Sequence, residues 1–455
     1  MAMTVINPAT GERAGSYEEL LPEQVDEAIR HAHEAQLSWR CENFSTRARL
    51  MKRAADILRE RRGKLAELMA MEMGKPLREG NAEIDKCAWV CEYYAEHAER
   101  HLEDEIILSD FSKSYITYQA LGVVLAVMPW NFPFWQVFRF AAPSLMAGNA
   151  GLLKHASNVP GCALAIEEVF EQAGFPFGLF QTLLISSAQV GRIIENPRVM
   201  AVTLTGSTPA GQAVARSAGE VLKKVVLELG GSDPYLILDD ADLELAVDAC
   251  VTSRLLNAGQ SCIAAKRFIV DETLRSSFER KMVEKMAGFE PANPLAEGTL
   301  LGPMARQDLR DEVHHQVLAS IDKGAQLLLG GKVPAGPGAY YPPTVLTGVQ
   351  EGMPAYDEEI FGPVAAIISA RGEKDAIRIA NDTVFGLGAA VFTKDLARGE
   401  RIAARDLAAG SCFVNDFVRS DPRLPFGGIK ESGYGRELHR EGIREFVNIK
   451  TVALR

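Results

Sequence analysis

The stretch from Val123 to Glu228 constrains the fold most. Short apolar runs alternate there with helical patterns. Val123–Met128 precedes a helix over Phe134–Met146, and Gly151–Lys154 precedes Pro160–Ala173. Gln181–Ile185 precedes Ala188–Glu195, Val202–Thr205 precedes Ala210–Ala218, and Lys224–Glu228 closes the series. Strands that are apolar throughout belong to a parallel sheet covered by helices on both faces. Ligands of such sheets bind beyond the carboxyl ends of the strands. After Gly230-Gly231 a second alternation begins: strand Tyr235–Leu238, helix Asp242–Leu256, strand Phe268–Val270 and helix Thr273–Lys285. Strands near Val364–Ile368 and Ala389–Phe392, with helices at 373–381 and 395–406, extend it, between Pro- and Gly-rich loops at 289–303 and 331–343.

Upstream, residues 22–104 read as helices. Leu50, Ala54, Ile57, Leu58, Leu65 and Leu68 follow the helical period, and charges such as Arg59–Arg62 fill a solvated face. Residues 105–120 form a β excursion, and Phe446–Val452 is a strand without an evident partner. The fold class is α/β, and 455 residues are too many for one core, so two or three domains are expected.

Composition narrows the function. With 49 Lys and Arg against 60 Asp and Glu, the net charge of −11 argues against nucleic acid or an anionic membrane as partner. The longest apolar run, Ala120–Trp130, is too short to span a bilayer and is broken by Pro129. Met1–Gly11 reads as a polar turn region rather than a leader, so a cytoplasmic enzyme is expected. Seven cysteines at irregular spacings do not make a disulfide framework. Cys87 and Cys91 lack a zinc spacing, and the adjacent His314 and His315 point to different helix faces, so no metal site is expected.

Seven features carry chemistry. Gly259-Gln260-Ser261-Cys262 puts a thiol in an open turn, where a thiolate is the strongest side-chain nucleophile near neutral pH. Most cysteines are instead small buried hydrophobes. Glu228-Leu229-Gly230-Gly231 ends an apolar strand with a carboxylate, which burial would raise toward a useful general base; an exposed strand-end acid reads the same way. Pro129-Trp130-Asn131-Phe132-Pro133 inserts one amide into an apolar region, able to donate to an oxyanion or to form a turn. Thr205–Gly211 follows a strand and opens a helix, a pattern that cradles phosphate but is shared by a capped βα turn. Lys154 ends another strand and is able to hold ribose or phosphate. Glu359–Pro363 and Pro425–Gly428 are tight Gly/Pro loops. Glu228 and Cys262 are expected to come together after two strands of the sheet region.

Taken together and in this order, these motifs resemble those of the aldehyde dehydrogenase superfamily over nearly the full length. The resemblance implies a Rossmann-type cofactor domain (1–104 with 121–230) and an α/β catalytic domain (231–431). Residues 105–120 and 432–455 would form a β-flap that joins a homodimer or homotetramer. It also implies roles. Cys262 attacks the aldehyde, Asn131 and the Cys262 N–H hold the oxyanion, and Glu228 activates the water that hydrolyses a thioester. Trp130, Lys154, Ser157, Gly206, Ser207, Glu359 and Phe361 hold NADP or NAD. Ser157 stands where a glutamate often enforces NAD in relatives, so NADP is expected to serve at least as well.

Within the superfamily the match resembles succinate-semialdehyde dehydrogenases most. Trp135 and Arg139, four apart on one helix face, suit the methylenes and far carboxylate of a short anionic aldehyde, with Ser420 adding a hydroxyl. A neutral aldehyde would leave Arg139 unpaired. The alternatives are an aldehyde dehydrogenase of broad specificity, a CoA-acylating enzyme, against which Glu228 argues, and a non-catalytic cofactor-binding protein of the same fold.

Overall fold

The computed structural model describes residues 2–455. Strands β1 (Ala2–Ile6) and β2 (Arg13–Glu18) form an antiparallel hairpin. The segment read as a polar turn is therefore a strand followed by a turn. Met3 and Val5 are its buried positions, and two buried residues between three exposed ones were too few to register as alternation. Three helices follow: α1 (Pro22–Trp39), α2 (Phe44–Met73) and α3 (Leu77–His101). The Asn43 side chain caps α2 by accepting from Thr46 N at 2.8 Å, and Gly74 at φ 79° ends it.

After β3 (Glu105–Ile106) and β4 (Lys113–Ala120) comes the first alternation: β5 (Val123–Met128), α4 (Trp135–Met146), β6 (Ala150–His155), α5 (Pro160–Ala173) and β7 (Phe180–Thr182). It continues through α6 (Val190–Glu195), β8 (Val199–Thr205), α7 (Thr208–Glu220) and β9 (Lys224–Glu228). The second half adds β10 (Asp233–Ile237), α8 (Leu243–Leu255), β11 (Ala265–Asp271), α9 (Arg275–Met286) and α10 (Gln307–Asp322). The strands β12 (Gln326–Leu329), β13 (Thr344–Thr347), β14 (Val364–Ala370), β15 (Gly388–Phe392), β16 (Ser411–Val414), β17 (Gly433–Tyr434) and β18 (Val447–Leu454) complete it.

The first sheet has the order β17-β9-β8-β5-β6-β7, parallel except for β17. The second has the order β12-β13-β14-β11-β10-β15-β16, parallel except for β12. In the second, Leu236, Ile269 and Ile368 face one core while Tyr235, Phe268 and Ile367 face another, the period-two alternation of a sheet covered on both sides. The last strand finds its partner: β18 pairs antiparallel with β4 along eight residues, in a three-stranded sheet β18-β4-β3. Of segment 432–455, only β18 joins this flap; β17 adds to the first sheet beside Glu228. Among the described residues no helix is long and apolar enough to cross a membrane.

The elements outside the sequence reading include α10, β12, β13, β16 and β17. In α10 the inward positions Leu309, Val313 and Val317 recur at every fourth residue, but acids, bases and two histidines fill the intervals and dilute the pattern.

Candidate active site

The two sheets meet with opposite ends facing. From the first come the carboxyl ends of β5, β8 and β9, carrying Asn131, Gly206 and Glu228. From the second come the amino ends of neighbouring β11 and β14, entered by the Cys262 and Glu359–Phe361 loops. Cys262 thus precedes a strand rather than following one, which corrects the expectation that both it and Glu228 follow strands. It leaves α8 through three consecutive left-handed residues, Asn257 (φ 55°), Ala258 (φ 54°) and Gly259 (φ 73°). Two of these are non-glycine, a strained arrangement kept only where its surroundings fix it. At Gly259 no side chain fits, because a Cβ would lie 2.3 Å from the Gly362 carbonyl.

The surroundings that fix the turn are polar and buried. Lys266 Nζ donates to the carbonyls of Ser261 (3.0 Å) and Cys262 (2.8 Å) and pairs with Glu359 at 3.3 Å. The Asn257 amide donates to the carbonyls of Asn131 (2.7 Å) and Gln260 (3.1 Å). Asn131 Nδ2 also donates to the Gln260 carbonyl at 3.1 Å, so one of its N–H groups orients the amide and the other stays available. The backbone N–H of Cys262 meets no acceptor among the described residues. Burial pushes the half-buried Cys262 thiol up to about 12, against the pull of Arg139 and Lys266.

Helix α3 positions Asn131 from behind. Glu83 accepts from Phe134 N and Trp135 N, each at 2.9 Å, and so caps α4 from a different helix. It is in turn paired with Lys75, which donates to the Asn131 carbonyl at 2.9 Å. All three side chains are buried.

Glu228 is buried at the end of β9 with neither carboxylate oxygen hydrogen-bonded among the described residues. Burial raises its affinity for a proton well above the carboxylate range, and neighbouring Glu437 adds to the rise. Glu437 itself contacts Arg139 in a buried ion pair, though not at hydrogen-bonding angles. Arg139 lies over the Phe426 ring at 4.7 Å and donates weakly to Thr205 Oγ1 at 3.4 Å. It is therefore buried and already balanced, whereas the sequence reading left it unpaired until an anionic substrate arrived.

Two cavities converge on Cys262. One, of about 420 Å³, is lined by Phe132, Trp135, Arg139, Cys262, Ser420 and Phe426, and its far wall is α3. The other, of about 250 Å³, is lined by Trp130, Asn131, Gly206, Ser207, Glu359 and Phe361, with α10 closing it. Gln136 also faces both. Around the smaller cavity, Trp130 and Phe361 meet edge to face at 5.9 Å. Ser207 precedes α7 without capping it through its side chain, so the hydroxyl and the first N–H groups of the helix remain open. A Cβ on Gly211 would lie 2.5 Å from Leu229, so glycine lets α7 press against the strand end. Lys154 and Ser157 lie outside this lining, Lys154 buried at the end of β6 and Ser157 exposed after it.

The sequence model of the aldehyde dehydrogenase family matches residues 1–452. The chain belongs to the aldehyde dehydrogenase family. It is 49% identical over 452 residues to a probable NADP(+) succinate-semialdehyde dehydrogenase of Synechocystis sp., covering 99% of each chain. It is 50% identical over 455 residues to the NADP(+) succinate-semialdehyde dehydrogenase 1 of Mycobacterium tuberculosis, again over 99% of each. Its structure superposes with a TM-score of 0.97 on the succinic semialdehyde dehydrogenase of Streptococcus pyogenes in complex with NADP+, at 38% identity and 99% coverage of each chain.

Set against this aldehyde dehydrogenase site, Cys262, Asn131, Trp130, Gly206, Ser207, Glu359, Phe361, Trp135, Arg139 and Ser420 from the sequence reading line the two joined cavities, while Glu228 lines neither and acts on Cys262 through its charge. That reading missed Lys75, Glu83, Lys86, Lys266, Gln136, Glu437 and the whole of α10. Lys75, Glu83 and Lys86 lay within or beside helices whose charges read as solvated faces. In fact α3 turns Arg78, Glu79, Ala82, Glu83 and Lys86 toward the larger cavity. The i, i+4, i+8 spacing of Arg78, Ala82 and Lys86 was the available signal.

Proposed function

We propose that this aldehyde dehydrogenase oxidises succinate semialdehyde, or a similarly short aldehyde ending in a carboxylate, to the acid with NADP or NAD. One observation carries the reading: Cys262 stands where an apolar, cation-lined cavity and a second cavity at the strand ends meet. The second suits a dinucleotide by its donor set, combining the open α7 N-terminus, Gly206, Glu359 and the Trp130–Phe361 pair. A dinucleotide held there, with Lys154 and Ser157 toward its adenosine end, would supply the hydride acceptor for the carbon bound to Cys262.

The remaining steps belong to the chain's own residues. The Cys262 thiolate adds to the aldehyde carbon. The developing oxyanion is held by the free N–H of Asn131 and the backbone N–H of Cys262, both lacking other acceptors. Once the carbon is a thioester on Cys262, Glu228 takes a proton from water as it attacks. Trp135 packs on the substrate methylenes, and Arg139 and Ser420 make the far end polar. The enzyme is expected to act in the cytoplasm as a dimer or tetramer of identical chains.

The test is turnover of succinate semialdehyde and butanal with each dinucleotide. A large preference for the acid aldehyde is expected, and Cys262→Ala should abolish both steady turnover and the initial burst of reduced dinucleotide. Equal rates on the two aldehydes would leave a dehydrogenase of broad specificity, and substantial activity in Cys262→Ala would remove the covalent mechanism.

A further inference from the structure

Arg139 is the residue expected to receive the substrate carboxylate, yet Glu437 already balances its charge. The larger cavity holds three other cations. Arg419 is paired with Asp416 at 2.8 Å, and Arg78 is exposed in the first turn of α3. Lys86 is different. Its ammonium lies 4.3 Å from the Trp135 ring centroid and donates to Ser420 Oγ at 2.7 Å, the two residues expected at the substrate. No carboxylate lies within ion-pair distance of it among the described residues. The acids nearest to it are engaged elsewhere, Glu83 by Lys75 and Asp421 by Arg423.

Resting on the reading of an anionic aldehyde, we propose that Lys86 is the cation that takes the substrate's far carboxylate. Ser420 and Trp135 position its ammonium. A cation held in a partly enclosed cavity without a counter-charge is costly, and that cost is relieved when a ligand brings the missing anion. The carboxylate gains a charge-assisted hydrogen bond from Lys86 and another from the Ser420 hydroxyl. The aldehyde end then points toward Cys262, which lines the same cavity. Burial, with Arg139 nearby, lowers the Lys86 ammonium to about 8, as expected for a cation lacking a partner.

The experiment compares succinate semialdehyde with butanal at saturating NADP in wild type, Lys86→Met and Lys86→Arg. The KM for the acid aldehyde should rise about ten- to a hundredfold in Lys86→Met, with kcat changed little. Butanal turnover should stay within about twofold, which also reports that the variant is folded. Lys86→Arg should restore most of the acid preference. Succinate should inhibit butanal oxidation in wild type and much less in Lys86→Met.

A wild-type measurement needs no variant. The ratio of kcat/KM for the two aldehydes should fall as pH rises through about 8. The charged groups facing Lys86 are Arg78, Glu79 and Glu83 on its own helix, Arg139 from α4, and Arg419 and Asp421 from the loop after β16. Of these, burial holds Glu79 up at about 7, and its ionisation lowers the ratio too. Lys86→Arg should keep that first step and lose the one near 8. If wild type prefers the acid and Lys86→Met keeps both that preference and its KM, Lys86 is not the anchor although the substrate reading stands. If wild type has no preference, the substrate reading itself fails.

Discussion

A single carboxyl sets the balance between stability and turnover here. Glu228 is buried, and neither of its oxygens meets a donor among the described residues. Only the glycine at 427 makes room for it, since a Cβ there would come 2.7 Å from Oε1. Its folded-state pKa is raised well above the ordinary value, so between that value and the folded one the native state holds a proton that the unfolded chain has lost. Stability therefore falls as pH rises through this window. Glutamine in its place is neutral at every pH and removes the term. Glu228→Gln is expected to raise the melting temperature, and by more at about pH 8 than at about pH 6, with a gain on the order of 1–3 kcal/mol. The same variant should retain the burst of reduced dinucleotide and lose steady turnover about a hundredfold or more. A melting temperature unchanged at both pH values would mean that the carboxyl finds partners in solution. An intact steady rate would remove it as the hydrolytic base. Raising the carboxyl by burial makes it a stronger base once ionised, and the stability cost comes from the same burial.

At the level of elements, most parallel strands were readable because they are apolar over most of their length, whereas β13 and β16, four residues each, were too short to register; α5 was readable because Pro160 opens it and Gly174 at φ 89° closes it. The motif residues were readable because each stands at a break: Asn131 before Pro133, Glu228 before two glycines, Cys262 after Gly259. The supports of those motifs were not. Lys75 and Glu83 lie on or just before a helix of ordinary charged composition, and their partners at 131, 134 and 135 are distant in sequence. Periodicity assigns a charge to the solvent unless the partner is known, so pairs buried across such separations leave no local trace. The loop between β6 and α5 carries a prediction of its own. Ser157 is exposed there, three residues beyond the buried Lys154. If that loop receives the 2′-phosphate of NADP, Ser157→Glu should lower kcat/KM for NADP roughly tenfold or more, as like charges a few ångströms apart repel by about 1–4 kcal/mol. NAD should be affected far less. A variant that loses both dinucleotides equally, or neither, would place the 2′-phosphate elsewhere.

At the scale of the whole molecule, two of the open sheet edges matter most. The outer edges of β18 and β16 are among those that pair with nothing among the described residues. Beyond Val447, every position of β18 is exposed or half-buried, with Ile449 at 62% and Leu454 at 46%. An eight-residue apolar-studded edge is a liability in an isolated chain and an asset in an assembly, where it adds to another sheet. For such an assembly the edge of β16 would be a fitting place, because its four residues are only half-buried. It also leads directly into the loop bearing Arg419, Ser420 and Phe426, which wall the substrate cavity. A second copy's β18 lying along β16 would brace that loop, and with it the contact of Ser420 to Lys86. Removing residues 447–455 should therefore do two things at once. Sedimentation should show the single-chain mass in place of a multiple, and the KM for succinate semialdehyde should rise by more than that for butanal. Ile449→Asp, which leaves the chain intact, should weaken assembly in the same direction. The native mass in both variants would place the contact between copies on another surface. A monomer with unaltered KM would separate assembly from the substrate loop.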